Sequence, residues 1–347
     1  MKKITVVAAT LALLTACGGN SEPTNSEAEA TAPATTAAAS AEVVASTVPG
    51  PMPTEMTEDL IYHPGGEPFT AKSGLVDVIA PTGEGSWPTV VVFHGDPRFA
   101  SKTWHRSDAG LIAEQGRVVF LPSWGHTISS AASDMGLQSV EEMVVQELSC
   151  AVLFAQAYTA EYGGDPDHIT LYGLSAGGNA VLMAGLAAAD PLESCSVSGG
   201  PVQPQALVPI DADWTMGGSW DMQIREDPEL FYARTPWRYL DGSQDIPIHV
   251  MVAENPGSYT RSVEPDPATS WLSYRHGDID LAGDLEARGY LADGEFSLKE
   301  SSEYAVEILR EAGYDVTLVV MPGASHESWG SAGTAAVVDT VLDAEGT

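Results

Sequence analysis

The chain has 347 residues, of which 44% are hydrophobic, so it is long enough for one large domain or two small ones with a sizeable core. It carries 48 acidic but only 15 basic side chains, which gives a formal net charge of −33 at pH 7. Such a surface repels nucleic acid and anionic lipid headgroups, so the composition argues against both as partners of the folded part of the chain.

The first residues have the pattern of an export signal. Lys2 and Lys3 precede an apolar stretch at 4–14, whose 11 residues are too few to span a bilayer. The stretch ends in "LTAC", which resembles the bacterial lipoprotein signal, in which the cysteine is lipidated and becomes the new N-terminus. We therefore predict a lipoprotein signal peptide at 1–17, lipidation of Cys17, and a protein that is anchored in the cell envelope or secreted. An ordinary signal peptide that contains a cysteine is the alternative.

Residues 18–56 are built mainly from Ala, Thr, Ser, Pro, Glu and Gly, and they contain no aromatic residue. A segment of this composition cannot bury much apolar surface, so we predict a disordered linker between the anchor and a folded domain at 57–347. Short exposed helices within the linker are the alternative.

Strands and helices alternate in the predicted domain. Apolar runs predict strands at 74–81, 87–95, 117–124, 168–173, 195–200, 246–254 and 315–323. Helical spacing of apolar residues, or a run of alanines, predicts helices at 105–115, 138–161, 176–189, 298–312 and 331–343. This alternation is typical of an α/β fold with a mostly parallel, doubly wound sheet, which binds ligands at the carboxyl ends of its strands.

Three short motifs stand at the ends of predicted strands. The second strand ends in "HGD", the fourth in "GLSAGG", and "GASH" follows the last. Because the carboxyl ends of parallel strands lie at one rim of the sheet, we expect the three loops to form one site.

The motif "GLSAG" matches the G-x-S-x-G nucleophile elbow and puts Ser175 between a β-run and an Ala-rich helix, which is the context that the elbow requires. A serine hydroxyl is a weak nucleophile, so it needs a base, an acid that orients the base, and donors for the oxyanion. A glycine-rich helix entry for phosphate is the competing interpretation, but neither G-x-x-x-x-G-K-[ST] nor G-x-G-x-x-G accompanies the motif.

The predicted base is His326, which among eight histidines is the one in a loop after the last predicted strand. His94 belongs to the loop after the second strand. The other histidines stand in places without a matching motif, namely His63, His105, His126, His168, His249 and His276.

Residues 74–343 resemble a secreted α/β-hydrolase of the esterase and lipase type. The segment "GGDPDHITLYGLSAGGNAV" is very similar to the region around the nucleophile in carboxylesterases, "VVVFHGD" resembles their oxyanion loop, and "AGYDVTLVVMPGASHESW" resembles their base-bearing end. The resemblance implies a Ser–acid–His triad in that chain order. It also implies that the backbone N–H groups of Ala176 and Asp96 bind the oxyanion.

The acid of the triad departs from the family pattern, because Pro256 stands where the family acid is expected. We predict Asp293, which lies ahead of the helix at 298–312 and 33 residues before His326, a spacing that resembles that of the family. The alternatives are Glu254, at the end of the strand at 246–254, and then Asp266, Asp278 and Asp280.

Residues 201–245 are rich in aromatic side chains, and they are predicted to form a cap insertion over the site. Its tryptophans are the predicted substrate-binding residues: Trp214, Trp220 and Trp237. A hydrophobic cluster with no role in binding is the alternative. Because the sequence has neither a zinc-type Cys/His spacing nor a nucleotide motif, we predict no metal and no cofactor.

Two further cysteines, Cys150 and Cys195, are predicted to form a disulfide, since export brings a protein into an oxidising compartment. Two buried free thiols are the alternative.

The preferred function is a lipid-anchored or secreted serine hydrolase that cleaves small-molecule or polymeric carboxylic esters. Peptide or polyester cleavage on the same fold is a related possibility. A catalytically silent envelope protein that uses the fold only for binding is the alternative from another class, and the uncertain acid is its main support.

Overall fold

An eight-stranded sheet forms the centre of the protein, in a computed structural model that describes residues 51–95, 101–126, 135–212, 236–240, 242, 245–255, 261–262, 275–276, 279–290 and 295–326. The strand order is β1-β2-β4-β3-β5-β6-β7-β12. The first two strands run antiparallel to their neighbours, and the other six are parallel to one another. The strands are β1 (Thr54–Ile61), β2 (Leu75–Pro81), β3 (Trp87–Phe93), β4 (Val118–Pro122), β5 (Gly164–Leu174), β6 (Ala206–Ile210), β7 (Ile248–Ala253) and β12 (Val316–Met321).

Helices connect the parallel strands and cover the two faces of the sheet. They are α1 (Arg106–Glu114), α2 (Leu137–Tyr158), α3 (Ala176–Leu186), α4 (Leu281–Ala287) and α5 (Leu298–Glu311). Short 3₁₀ turns lie at Lys102–His105, Thr159–Tyr162 and Pro236–Tyr239. Four two-residue strands make two small ribbons, β8 (Arg261–Ser262) with β11 (Glu295–Phe296), and β9 (Arg275–His276) with β10 (Ile279–Asp280).

The core has two layers because alternate residues of each strand face opposite sides of the sheet. In β3, Val91 and Phe93 pack with α2, α3 and α5, whereas Val90 and Val92 pack with α1. The strand is buried on both sides, which explains why its sequence is a continuous apolar run. Ser297 begins α5 with a capping box, in which its side chain and that of Glu300 bond each other's backbone N–H groups.

The sheet confirms most of the predicted elements and corrects one strand. Residues 195–200 are not a strand, and the strand after the serine is β6, which lies inside the segment predicted as a cap insertion. The physical reason is that Cys195 is tied to α2, so the chain runs irregularly until "ALVPI" supplies a buried β-run. A second difference is β1, three residues of which lie in the predicted linker.

The Cys150–Cys195 disulfide is present, as predicted, and it joins α2 to the segment before β6. The described residues belong to one compact unit, Gly50–Thr347. The predicted signal peptide, most of the linker and the helix at 331–343 lie outside the described residues. Within the described part of the chain, none of the helices combines the length and the apolar character needed to cross a membrane.

Candidate active site

Ser175 occupies the single residue between β5 and α3. Its φ of 58° and ψ of −122° are values that L side chains rarely adopt. A strained turn of this kind, from a buried strand into a helix, holds the side chain away from the backbone at the carboxyl end of the strand. The backbone at Ser175 therefore has the geometry that the motif "GLSAG" predicted.

Glycines beside the serine make room for this turn. A Cβ on Gly173 would overlap the carbonyl oxygen of Gly177, and a Cβ on Gly177 would overlap the carbonyl oxygen of Phe93 at the end of β3. Gly178 is equally constrained, because its Cβ would stand 2.8 Å from that of Ala212. The turn is thus wedged between the ends of β3 and β6, and no larger residue fits at these positions.

The loop after β3 lies directly beside the serine. A Cβ on Gly95 would stand 3.7 Å from the Cβ of Ser175. Ala176, one of the predicted oxyanion donors, is the first residue of α3. The other predicted donor, Asp96, lies outside the described residues, so its role stays a prediction.

His326 follows β12 and is buried, with 8% of its surface exposed. The turn that carries it is fastened to the end of β7 by two hydrogen bonds. Gly323 donates its N–H to the Glu254 carboxylate at 2.8 Å, and Asn255 donates its N–H to the carbonyl oxygen of Ala324 at 3.0 Å. Glu254, an alternative for the triad acid, therefore binds the turn ahead of the histidine.

Asp211 is the described carboxylate that meets the imidazole, with its Oδ2 at 3.3 Å from Nδ1 of His326. It follows β6 directly, its side chain is fully buried, and its φ is 42°. Its Oδ1 accepts the N–H of Ala253 at 2.7 Å, and its own N–H donates to the carbonyl oxygen of Met251 at 2.9 Å. A buried carboxylate in a strained backbone position, anchored by one oxygen and facing an imidazole with the other, is typical of an acid that orients a base.

Ser175 and Asp211 follow neighbouring strands. The N–H of Ser175 donates to the carbonyl oxygen of Ile210, the residue before Asp211, at 2.8 Å. The sequence interpretation missed Asp211 because it put a strand at 195–200 and read 201–245 as an insertion. The signal was present: "ALVPI" is a five-residue apolar run, and Asp211 is the first residue after it.

The structure describes only some of the remaining predicted site residues. The predicted acid Asp293 lies outside the described residues, and Asp280 is described only as part of β10. Also outside are Cys17, Trp214, Trp220, Asp266 and Asp278.

Trp237, predicted to bind substrate, is buried in the core with 7% of its surface exposed. Its ring meets that of Tyr304 of α5 edge-on, with 6.1 Å between the centroids. This packing is what the alternative, a hydrophobic cluster, predicts, and a role of Trp237 in substrate binding stays a prediction.

Two imidazoles bind the backbone of Gly95. His94 is fully buried, and its Nδ1 lies 2.7 Å from the carbonyl oxygen of Gly95. The N–H of Trp124 donates to Nε2 of His94 at 3.4 Å, so Nδ1 carries the proton that is donated to Gly95. On the other side, the N–H of Gly95 donates to Nε2 of His105 at 3.3 Å. Both polar backbone groups of this glycine are therefore held by side chains.

Among the described residues there is no cluster of three or more His, Cys, Asp or Glu side chains that could hold a metal ion.

Several solved structures share the fold of this chain. The solved structures that resemble the chain include a truncated carbohydrate esterase from gut microbiota, with a TM-score of 0.55 and 14% identity, over 86% of this chain and 99% of that one. They also include esterase B of Lactobacillus rhamnosis inhibited by a tributyrin phosphonate, with a TM-score of 0.56 and 14% identity, over 86% and 88%. The chain therefore has the α/β-hydrolase fold.

Sequence comparison also finds a relative that is an esterase. Esterase LipQ of Mycobacterium tuberculosis is 28% identical over 127 residues, which are 35% of this chain and 30% of that protein. The chain thus matches less than a third of the length of this curated relative. No protein-family model matches the chain.

Proposed function

We propose that this protein is a serine hydrolase that cleaves carboxylic esters. The observation that carries the proposal is the strained elbow at Ser175, whose N–H donates to Ile210, the residue before Asp211, while Asp211 contacts His326. A serine nucleophile needs a base, and a buried imidazole–carboxylate pair is the arrangement that supplies one.

In the proposed reaction the hydroxyl of Ser175 attacks the ester carbonyl while His326 accepts its proton. Because Nδ1 of His326 faces Asp211, we assign Nε2 to the serine proton. The N–H of Ala176, at the start of α3, donates to the developing oxyanion. His326 then protonates the departing alcohol, and the acyl-enzyme is hydrolysed when His326 activates a water molecule.

The assignment of Asp211 as the acid replaces Asp293 in our proposal. The contact with His326 and the complete burial of Asp211 support it. Both carboxylates follow Ser175 and precede His326 in the chain, so the order of the triad is the same in either case. The role of Asp293 stays a prediction, and the two assignments are separated experimentally below.

Short acyl esters are the substrates we propose to test first. Among proteins that share the fold, one esterase structure carries a tributyrin phosphonate and another, from Thermogutta terrifontis, carries propionate. The latter has a TM-score of 0.53 and 16% identity over 86% of this chain and 96% of that one. We further propose that the enzyme is exported and lipidated at Cys17. Metabolic labelling with a palmitate analogue, lost in Cys17→Ala, tests this part.

A fluorophosphonate probe and p-nitrophenyl acetate together test the function. The folded wild type should be labelled and should hydrolyse the ester, and Ser175→Ala should do neither because the probe reacts with an activated serine. His326→Ala should fold and bind substrate but label slowly. If the folded wild type is neither labelled nor active on short esters, the catalytically silent binding protein is the better reading.

A further inference from the structure

We propose that His105 and Asp108 form a positioning pair that fixes the backbone of Gly95, which follows β3 and lies beside Ser175, for catalysis. The proposal rests on the proposed function and adds residues that the Ser175–His326–Asp211 assignment does not use. His105 stands in the turn before α1, and Asp108 lies in the first turn of that helix.

The first observation is the direction of the hydrogen bond between His105 and Gly95. Since the N–H of Gly95 is the donor at 3.3 Å, Nε2 of His105 has to be the acceptor and carries no proton. Nδ1 of the same ring lies 3.2 Å from Oδ2 of Asp108, so Nδ1–H donates a hydrogen bond to the carboxylate, which selects this tautomer. The pair thus presents a neutral acceptor to one backbone amide.

The second observation is that the pair is protected from solvent and close to the nucleophile. The side chains of His105 and Asp108 are only 12% and 11% exposed. The point where a Cβ on Gly95 would stand is 4.0 Å from Nε2 of His105 and 3.7 Å from the Cβ of Ser175. The imidazole and the serine therefore flank the same glycine.

The third observation is that the turn bearing His105 is itself rigidly anchored. Asp77 of β2, fully buried, binds both Lys102 and Arg106, the residues at either end of the turn. Lys102 also reaches Asp59 of β1 at 2.7 Å. These ion pairs hold the turn in place, so His105 has a fixed position, unlike a surface side chain.

The consequence for catalysis follows from peptide geometry. His94 holds the carbonyl oxygen of Gly95, and His105 holds its N–H, so both peptide planes that meet at this residue are oriented. Because the N–H of Gly95 donates to His105, it does not point to the substrate. The pair therefore acts by fixing this backbone beside Ser175 and not by donating to the substrate itself.

Replacement of His105 tests the proposal. His105→Ala should lower kcat for p-nitrophenyl acetate by about 10–100-fold, less than the loss of an oxyanion donor itself, with little change in KM. The rate of fluorophosphonate labelling should fall by a similar factor, because the probe also develops charge on an oxygen in the transition state. His105→Gln should recover most of both rates, since a Gln oxygen can accept the Gly95 N–H without the ring.

The control is His168, which also pairs with an aspartate three residues away, Asp165 at 2.8 Å, but lies in β5 seven residues before Ser175. His168→Ala should leave kcat and labelling unchanged. A folded His105→Ala variant with wild-type rates would overturn the proposal, and so would an equal loss in His105→Gln. If His105→Ala fails to fold, Asp108→Asn tests the proposal instead, because loss of the tautomer preference of His105 should lower kcat without changing KM. Wild-type rates in Asp108→Asn would overturn the pairing. Retained activity in Ser175→Ala would instead overturn the proposed function.

Discussion

Asp211→Asn is the most informative single substitution in this protein, because it changes the charge of the proposed acid and almost nothing else. Two contacts of its side chain are described: Oδ1 accepts the Ala253 N–H at 2.7 Å, and Oδ2 faces Nδ1 of His326 at 3.3 Å. An Asn can keep its oxygen on Ala253. Its NH₂ group then faces His326, and a donor opposite Nδ1 forces the proton of the imidazole onto Nε2, which can no longer accept the proton of Ser175.

The size of the effect follows from this tautomer switch. We expect kcat to fall by about 10³–10⁴-fold, as in other triads whose acid is replaced by its amide. This is about 4–5 kcal/mol of transition-state stabilisation at about 1.36 kcal/mol per factor of ten. KM and the thermal midpoint should change little, because volume and the bond to Ala253 are preserved. Asp211→Ala should lose stability as well, about 1–3 kcal/mol, since it leaves the buried Ala253 N–H without its acceptor.

The assay is the initial rate of p-nitrophenyl acetate hydrolysis with the thermal midpoint of each variant. Glu254→Gln is the matched control, because its carboxylate binds only the exposed Gly323 N–H among the described contacts, and a Gln oxygen can replace it. That variant should remain close to wild type. Asp293→Asn should also be mild. The reasoning would be refuted by a folded Asp211→Asn variant with nearly full activity, and the sequence-based assignment would be restored if Asp293→Asn lost activity instead.

Three further substitutions probe the elbow, a buried imidazole and the disulfide. Gly177→Ala should lower the thermal midpoint and abolish labelling, because its Cβ would overlap a carbonyl oxygen of β3. The control Gly110→Ala, in α1, should be neutral or stabilising, because a Cβ there meets nothing within 4 Å. Equal effects of the two substitutions would contradict the steric argument. Burial lowers the pKa of His126, so below about pH 6.5 the unfolded chain binds a proton that the folded protein does not, and stability should fall with the pH. His126→Gln should therefore flatten the decline of the thermal midpoint between pH 7 and 5. An unchanged slope in this variant would contradict the reasoning. Replacing both Cys150 and Cys195 by Ser should lower the free energy of unfolding by about 4 kcal/mol, because the disulfide closes a loop with a sequence separation of 45 and so reduces the entropy of the unfolded chain. Urea denaturation measures this change. A urea midpoint equal to that of the wild type would contradict a disulfide in the folded protein.

The sequence predicted the central sheet because its strands are continuous apolar runs bounded by glycine and proline. β3, β5, β7 and β12 all fall within or overlap the predicted ranges, and the serine and the histidine follow β5 and β12. These positions could be predicted because a short motif and a strand end are both local properties of the chain.

The position of β6 could not be read in the same way. "CSVSGG" and "ALVPI" are both short, and only tertiary pairing with β5 and β7 decides which of them joins the sheet. The misplaced strand also hid Asp211, because this aspartate is recognisable as a candidate acid only once its strand is known. The role of His105 was equally hidden, since the partners that define it, Gly95 and Asp108, are ten residues before it and three after it, in different elements.

The distribution of the triad over the sheet couples activity to the edge of the fold. His326 is carried by β12, which in the described sheet is an outermost strand and pairs only with β7. Edge strands open at lower free energy than strands paired on both sides. Partial detachment of β12 would therefore withdraw the base while the nucleophile and the rest of the sheet stay in place. In a denaturant titration, hydrolysis should decrease before the fluorescence of the tryptophans reports unfolding. A newly synthesised chain should likewise stay inactive towards esters until β12 has joined the sheet.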